Sequence, residues 1–354
     1  MDKKKILGIV KWFWLVLVLA AAGYYFYRNQ EQVINLIDQL SAWRIILSLI
    51  LLIFGKMFIV LLVQYSVNTE GWYPKYIETL GVYGLSSLGK YIPGGVWHFV
   101  GRFGVYKING LSAKASTRAM ILENIWLLSS AVATGVIGVF LTRFDLIAGI
   151  LNLPDRQWLA IAFALVAMGL WLVALALVHK TMRHHTKNDI PSIFIVAGAG
   201  LLLWTFIGSS FFVMFHEFPP SAAPLFIGGY AVSWAVGYVA VFAPGGLGIR
   251  EAVLAFVFSN IAAVELIAVF AAMNRIIWVI AEVLFGLVGM AQKRIIAPEQ
   301  SLILDAHLEE LMDKTDGDLD VRTKYDHAAL PDDSILGLEH LSEEVPDTTD
   351  FTSL

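Results

Sequence analysis

The segment LGKYIPGGVWHFVGR, which runs from Leu88 to Arg102, places a proline and two glycines inside an apolar region. Residues of these types normally form a turn at the surface of a protein. Here the break is flanked by aromatic and branched side chains, at Tyr91, Ile92, Val96, Trp97, Phe99 and Val100. The composition of the whole chain decides which environment surrounds such a break.

The chain is far more apolar than a soluble protein. Of its 354 residues, 58% are hydrophobic and only 15% are charged, and the mean hydropathy is +0.69. These values predict an all-α polytopic membrane protein. Because the chain has no cysteine, disulfide bonds, thiolate metal sites and cysteine nucleophiles are excluded.

Apolar runs of about 20 residues, the length that crosses a bilayer as a helix, predict the membrane spans. They lie near 9–27, 44–66, 119–141, 158–179, 193–215, 222–242 and 264–290. Two shorter apolar segments, 79–100 and 250–262, flank proline-glycine breaks. We expect about eight transmembrane helices, in which 250–262 crosses the membrane and 79–100 dips in and returns.

Basic residues orient these spans, because they favour the inner side of a membrane. They cluster at the N-terminus, in one loop and after the last span, at Lys3, Lys4, Lys5, Lys11, Lys180, Arg183, Lys187, Lys293 and Arg294. The loop 216–221 has neither lysine nor arginine and is predicted to lie outside. We therefore expect a multi-pass protein of the inner or plasma membrane with cytoplasmic N- and C-termini. The segment 9–27 is interpreted as an uncleaved span, with a cleaved signal peptide as the alternative.

The C-terminal segment differs in character from the rest of the chain. Residues 299–354 hold 16 of the 29 acidic residues and only three basic ones, which leaves 22 basic and 13 acidic residues, or +9, for the rest. We predict a transmembrane domain over 1–295 and an acidic, disordered cytoplasmic tail over 296–354. The positive body suits an anionic bilayer, and we expect no nucleic-acid partner.

The broken pattern occurs again in the second half of the chain. VAVFAPGGLGIREAVLAF, from Val239 to Phe256, repeats an aromatic residue, one spacer residue and Pro-Gly-Gly. A cation follows each break, Arg102 in the first and Arg250 in the second. Matched breaks in two halves indicate an inverted repeat and the binding site of a transporter, because unpaired backbone cannot face lipid.

The breaks also have a chemical interpretation. Proline removes a donor, and the amides at the start of the following helix then suit an anion such as phosphate. The alternative is a pair of proline kinks that only allow helices to pack. We favour the functional interpretation, since two matched breaks each have a basic neighbour.

Three stretches of sequence together resemble one family. GKYIPGGVWHFVGR, RAMILENIW and APGGLGIREAVL resemble the lysylphosphatidylglycerol synthase transmembrane-domain family of flippase-like membrane proteins. The most specific motif is Pro-Gly-Gly-x-Gly-x-x-Glu, from Pro244 to Glu251. The resemblance implies a bundle of about eight helices with re-entrant segments that moves a lipid between leaflets. Stand-alone members are suspected of serving cell-envelope glycolipid or polysaccharide pathways.

The chain departs from the full synthase, which carries a large soluble domain that transfers lysine from its tRNA. The residues after Arg294 are too few and too acidic for that domain, so we expect no aminoacyl transfer and no enzyme activity. The sequence has no Walker motif, no Gly-x-Ser-x-Gly elbow and no histidines at metal-ligand spacing. We therefore expect no catalytic residue, no cofactor and no metal.

The first break supplies one set of predicted substrate-binding residues: Pro93, Gly94, Gly95, His98 and Arg102. His98 and Arg102 are four residues apart and would stack on one helix face. Glu123, in the next span, has two interpretations. It either lines the lipid path or forms an ion pair that fixes helix packing.

The second break and the last span supply the other set: Pro244, Gly245, Gly246, Gly248, Arg250, Glu251, Asn274, Arg275 and Glu282. Glu251 suits a helix start and has capping alone as its alternative role, although the family motif favours a site role. Arg275 and Glu282 share a helix face. They form either a polar stripe in which Arg275 receives a lipid phosphate, or a mutually supporting pair with a cation–π contact to Trp278.

These residues lead to two main hypotheses. The first is a flippase- or translocase-like transporter that moves an anionic or polyprenyl-linked lipid between leaflets through a polar cavity. The second is an accessory subunit or enzyme of cell-envelope glycolipid or polysaccharide biosynthesis, with a purely structural partner as a third alternative. The expected partners are a membrane lipid, either a phospholipid or a polyprenyl-phosphate-linked lipid, and an envelope glycosyltransferase.

Overall fold

The computed structural model describes Tyr24, Tyr27, Gln30 and residues 41–91, 96–154, 156–182, 190–240 and 243–296. The predicted span 9–27, apart from Tyr24 and Tyr27, and the predicted tail, apart from Ile296, lie outside the described residues. Throughout the described ranges the regular structure is helical, without strands. The prediction of an all-α protein is therefore confirmed.

The α-helices follow one another with short connections. They are α1 (Ala42–Asn68), α2 (Tyr76–Leu88), α3 (Trp97–Ile108), α4 (Ala113–Thr142), α5 (Phe144–Leu151), α6 (Gln157–Met182), α7 (Ile190–Phe212), α8 (Ala223–Val239), α9 (Ile249–Phe258) and α10 (Val264–Ile296). Single turns of 3₁₀-helix occur at Gly89–Tyr91, Pro220–Ala222 and Pro244–Gly246.

Six of these helices are long and apolar enough to cross a membrane: α1, α4, α6, α7, α8 with the preceding 3₁₀ turn, and α10. They coincide with six of the seven predicted spans. The chain is thus a multi-pass membrane protein. Hydroxyl groups within these helices donate to carbonyls one turn earlier, as Ser130 does to Leu127 at 3.0 Å and Thr134 to Ser130 at 2.8 Å. This bonding satisfies polar groups where no water is present.

Contacts between helices fix the direction of each one. We call the end of the bundle where α1 finishes and α4 begins the first end, and the end where α7 finishes and α8 begins the second end. The guanidinium of Arg44 donates to the carbonyl of Val213 at 3.1 Å, so α1 starts at the second end. The ring centroids of Phe215 and Phe270 lie 4.6 Å apart, so α10 also starts there and runs to the first end.

The helices α2 and α3 form a helical hairpin that begins and finishes at the first end. A Cβ on Gly89 would lie 2.8 Å from the backbone nitrogen of His98, so the two helices meet at the break. Trp72 and Tyr106 make an edge-to-face contact at 5.6 Å, which brings the end of α3 back to the start of α2. The segment 79–100, which was predicted to dip into the membrane and return, contributes its described residues 79–91 and 96–100 to this hairpin, whereas Pro93, Gly94 and Gly95 lie outside the described residues.

The helices α8 and α9 form a second hairpin, which begins and finishes at the second end. A Cβ on Gly229 would lie 2.8 Å from the ring of Phe258, and a Cβ on Gly237 would lie 2.3 Å from the side chain of Arg250. The helix α9 therefore runs back along α8. Its 10 residues span about 15 Å, half of a hydrocarbon core of about 30 Å. Within the segment 250–262, which was predicted to cross the membrane, the helix is shorter than the length that crosses a bilayer.

Each hairpin packs against a long helix from the other half of the chain. Along α2 and α10, a Cβ on Gly84 would lie 2.2 Å from the carbonyl oxygen of Phe285. Along α8 and α4, a Cβ on Gly138 would lie 2.6 Å from the carbonyl oxygen of Pro224. Glycine is required at both positions because the backbones touch, as is common between membrane helices. These contacts hold each hairpin against the long helix of the other half.

Candidate functional site

The carboxylate of Glu282, in the middle of α10, collects several donors from both halves of the chain. It accepts hydrogen bonds from Lys56 Nζ at 2.7 Å, from the Tyr91 hydroxyl at 2.6 Å and from Trp278 Nε1 at 2.7 Å. Lys90 Nζ also donates to it. These residues and Arg250 form the group that we call the Trp278 cluster: Lys56, Lys90, Tyr91, Arg250, Trp278 and Glu282.

Three cations surround the indole ring of Trp278. Lys56 Nζ lies 4.1 Å from the ring centroid, Lys90 Nζ lies 5.7 Å away and the guanidinium of Arg250 lies 5.5 Å away. The negative face of the indole stabilises positive charge at such distances. The indole ring of Trp278 therefore contacts cations from three parts of the chain, namely α1, the first break and α9.

The residues of the cluster are buried on one side and exposed on the other. The side chains of Lys56 and Glu282 are 0% and 1% exposed, whereas that of Lys90 is 34% exposed. Tyr91 is exposed, and Arg250 and Trp278 are partly buried. A ligand that enters from the open side would meet Lys90, Tyr91 and Arg250 before the buried pair.

Arg250 is positioned by glycine and tyrosine. The absence of a side chain at Gly237 leaves room for its aliphatic part. Its Nη2 donates to the hydroxyl of Tyr230 at 2.7 Å, and that hydroxyl donates to Asn274 Oδ1 at 2.6 Å. Asn274 Nδ2 in turn donates to Ser210 at 3.2 Å. The predicted site residue Asn274 thus lies behind Arg250 as a support.

Arg275, on α10, binds both the turn of the second break and the start of α9. Its Nε donates to Glu251 Oε1 at 2.5 Å, and its Nη2 donates to the carbonyl of Gly246 at 3.2 Å. Gly245 and Gly246 adopt left-handed conformations, with φ of 60° and 68°. The turn frees backbone carbonyls, and a cation is the partner that satisfies such groups away from water.

Glu251 caps its own helix, one of the two roles considered for it from sequence, and it also pairs with Arg275. Its second carboxylate oxygen accepts from the backbone N–H of Gly248 at 2.8 Å, which caps α9. This amide was expected to face an anionic ligand, but a carboxylate of the chain already occupies it. The cations of the cluster are therefore the better candidates for holding a ligand at this break.

A separate ion pair ties α3 to α4. Arg102 Nη1 lies 2.5 Å from both carboxylate oxygens of Glu123, and both side chains are buried. Arg118, which precedes Glu123 on α4, pairs with Glu70 instead. Of the two interpretations of Glu123, the ion pair matches this geometry, with Arg102 as the partner. Next to it, the Tyr238 hydroxyl donates to Asn124, so the end of α8 also meets α4 here.

The predicted residues thus fall into two groups. Arg250, Glu251, Asn274, Arg275, Glu282 and the glycines Gly245, Gly246 and Gly248 come together around the middle of α10. Arg102 and Glu123 form the separate pair on α4. The ring of His98 packs against Phe99 with centroids 3.9 Å apart. Arg275 and Glu282 share a face as predicted, but each pairs with partners on other helices rather than with one another.

Four residues were not among the predicted site residues: Lys56, Lys90, Tyr91 and Tyr230. A signal for Lys56 exists, because it is the single charged residue between Arg44 and Glu70. A lone lysine in a membrane span costs about 3 kcal/mol on insertion scales and therefore marks a buried partner or a site. The two tyrosines have no comparable signal, because aromatic residues are abundant in this chain.

No family model matches the sequence, and no curated protein matches it significantly. Within the described residues, no group of three His, Asp or Glu side chains is arranged to hold a metal ion. The fold and its buried charges define the chain as an all-helical, multi-pass membrane protein with a cationic centre.

Proposed function

We propose that this protein is a flippase- or translocase-like transporter that moves an anionic or polyprenyl-linked lipid between membrane leaflets. One observation carries the proposal. The Trp278 cluster holds three cations against one carboxylate, in the middle of a membrane bundle and beside both helix breaks. Charge at this depth is costly unless it is paired or serves a substrate, and a passing anionic headgroup would supply the missing charge.

The relation between the two hairpins supports a transport role. We interpret the half that spans 76–142 and the half that spans 223–296 as an inverted repeat, each with a hairpin followed by a long helix. The hairpins start at opposite ends of the bundle, and each packs on the long helix of the other half. Broken helices that meet near the membrane midplane at a repeat interface are typical of transporter binding sites. We accordingly interpret both hairpins as re-entrant segments.

Ion pairs of opposite polarity connect each hairpin to its own long helix. In the first half the arginine is on the short helix, as Arg102, and Glu123 is on α4. In the second half the carboxylate is on the short helix, as Glu251, and Arg275 is on α10. Each pair is neutral by itself, so neither offsets the excess charge of the Trp278 cluster. We infer that the pairs hold the hairpins in position while the cluster receives the headgroup.

The same proposal includes the family and the orientation. The motif residues from Pro244 to Glu251 form the second break and its cap, which agrees with membership of the lysylphosphatidylglycerol synthase transmembrane-domain family as a stand-alone member. The positive-inside rule places both termini in the cytoplasm, and the first end of the bundle with them. The first hairpin then enters from the cytoplasmic side and the second from the opposite side. Transport rather than catalysis is the proposed role.

The test is lipid exchange in proteoliposomes that contain purified protein and fluorescent phospholipids. The variants are Arg250→Gln, which lowers the positive charge of the cluster, and Arg143→Gln as the matched control. Arg143 pairs with Asp145 at 3.5 Å near the second end of the bundle, away from the cluster. We expect exchange by the wild type and the control and its loss in Arg250→Gln.

The absence of exchange with every lipid tested, from folded wild-type protein, would contradict the transport proposal. The accessory-subunit hypothesis would then take its place. Equal exchange by Arg250→Gln and the wild type would show that transport does not depend on the Trp278 cluster.

A further inference from the structure

The charge around Trp278 is unbalanced by two units. In their ionised forms Lys56, Lys90 and Arg250 carry three positive charges and Glu282 carries one negative charge, and all four groups lie around the same indole ring. Among the described residues, Arg250 makes no ion pair with a carboxylate, and Lys56 and Lys90 share a single one. The nearby Arg275–Glu251 pair is neutral and does not change this excess.

The groups on the open side of the cluster are mostly donors. An ammonium group has three N–H donors and a guanidinium group has five, and neither has an acceptor. The Tyr91 hydroxyl already donates to Glu282, as does the indole N–H of Trp278. Lys90 and Arg250 thus remain able to donate to a ligand, which must be rich in acceptor oxygens. The phosphate group has this property and forms strong bonds to such cations.

The charge of the ligand follows from the same count. We propose that the Trp278 cluster binds a phosphate group that carries two negative charges, as a phosphate monoester or a terminal diphosphate does, in preference to a phosphodiester. This inference rests on the proposed transport function and specifies its substrate. A phosphate monoester carries close to two negative charges at neutral pH, whereas a phosphodiester carries one. A headgroup with an added amine would bring further positive charge to a site that already has an excess.

The geometry separates the roles of the three cations. Lys56 is fully buried and paired with Glu282, so it adds positive charge to the site without contacting the ligand. Lys90 is one-third exposed at the first break and Arg250 is partly buried on α9, so these two contact the phosphate oxygens. They belong to different halves of the chain. A phosphate bound between them bridges the two hairpins.

The experiment compares three fluorescent lipids with identical acyl chains in the same proteoliposomes. Phosphatidic acid carries a phosphate monoester, phosphatidylglycerol a phosphodiester, and phosphatidylcholine a zwitterionic headgroup. We expect exchange of phosphatidic acid to exceed that of phosphatidylglycerol by about tenfold, the factor produced by one moderate ionic contact. Protein-free liposomes give the rate of spontaneous exchange.

A variant tests whether the excess charge causes this preference. Lys90→Gln removes one of the two excess charges, and we expect the ratio of phosphatidic acid to phosphatidylglycerol exchange to fall towards one. Arg143→Gln should keep the wild-type ratio. Since the ratio is measured between two lipids on the same protein sample, a general loss of folded protein does not change it.

The possible results separate the two proposals. Equal exchange of phosphatidic acid and phosphatidylglycerol by the wild type would overturn the dianion proposal and leave the transport function in place. The absence of exchange for all three lipids would overturn the transport function. Release of entrapped inorganic phosphate without exchange of phosphatidic acid would assign the dianion site to free phosphate and exclude a lipid headgroup.

Discussion

At the scale of single residues, Glu282 is the acceptor on which the cationic centre depends. Four donors from three parts of the chain converge on its two oxygens. Because the carboxylate is 1% exposed, water does not replace it when it is lost. Removing one partner of a buried ion pair leaves an uncompensated charge, and this costs more than the pair itself contributes.

We therefore expect Glu282→Gln to lower the free energy of unfolding by about 3–5 kcal/mol, the usual cost of breaking a buried ion pair. Thermal unfolding in detergent measures the change. Glu265→Gln is the control, because Glu265 lies in the first turn of the same helix and is exposed. Adding Lys56→Met to Glu282→Gln should recover part of the loss. Similar losses for Glu282→Gln and Glu265→Gln would show that the carboxylate is not a central acceptor.

Two adjacent glycines at the second break have different constraints. Both have positive φ, which asparagine tolerates better than most residues. A Cβ on Gly245 meets no atom within 4 Å, whereas a Cβ on Gly246 would lie 2.9 Å from the carbonyl oxygen of Gly237. We expect Gly245→Asn to keep the thermal stability of the wild type and Gly246→Asn to lower it. Equal behaviour of the two variants would contradict the close approach of the break to α8.

At the scale of helices, sequence predicts elements better than it predicts their partners. Apolar runs located six long helices, because length and hydropathy are local properties of the chain. Spacing within a helix suggested His98 as the neighbour of Arg102, but the partner of Arg102 is Glu123 on the next helix. Lys56 and Glu282 are 226 residues apart in sequence, and no local pattern links them.

The prediction that 250–262 crosses the membrane relied on local composition for a similar reason. Apolar composition did not distinguish a short crossing from the returning arm of a hairpin. The distinction depends on Gly229 and Gly237, whose missing side chains let α9 lie along α8. The matched Pro-Gly-Gly pattern did locate the second break, since proline and glycine act on the backbone where they occur.

The contacts between each hairpin and the opposite long helix predict a matched set of glycine substitutions. Gly84→Ala and Gly138→Ala place a methyl group against backbone, and we expect each to lower the free energy of unfolding by about 1–3 kcal/mol, as overpacking does. Gly104→Ala is the control, because a Cβ there meets nothing within 4 Å. It should raise stability by up to about 1 kcal/mol through helix propensity. Thermal unfolding of the three proteins measures both effects, and a stable Gly84→Ala would exclude the close backbone contact.

At the scale of the whole molecule, the loops that follow the two hairpins lie at opposite ends of the bundle. Asn109 follows α3 at the first end, and Ser259 follows α9 at the second end, and both are exposed. The chain has no cysteine, so a single introduced cysteine is labelled at one position. We expect Asn109→Cys and Ser259→Cys to react with a membrane-impermeant maleimide from opposite sides of the membrane. Reaction from the same side would contradict the opposed arrangement of the hairpins.

Ion pairs within one half and the ion pair between the two halves differ in how freely their residues can change during evolution. Arg102–Glu123 and Arg275–Glu251 each lie within one half, so compensating substitutions in either pair stay local to that half. Glu282 lies in the second half and binds Lys90 from the first, so a change on one side requires a matching change on the other. Covariation between positions 90 and 282 would therefore record the interface between the halves, whereas covariation within the other two pairs would record only the stability of each half.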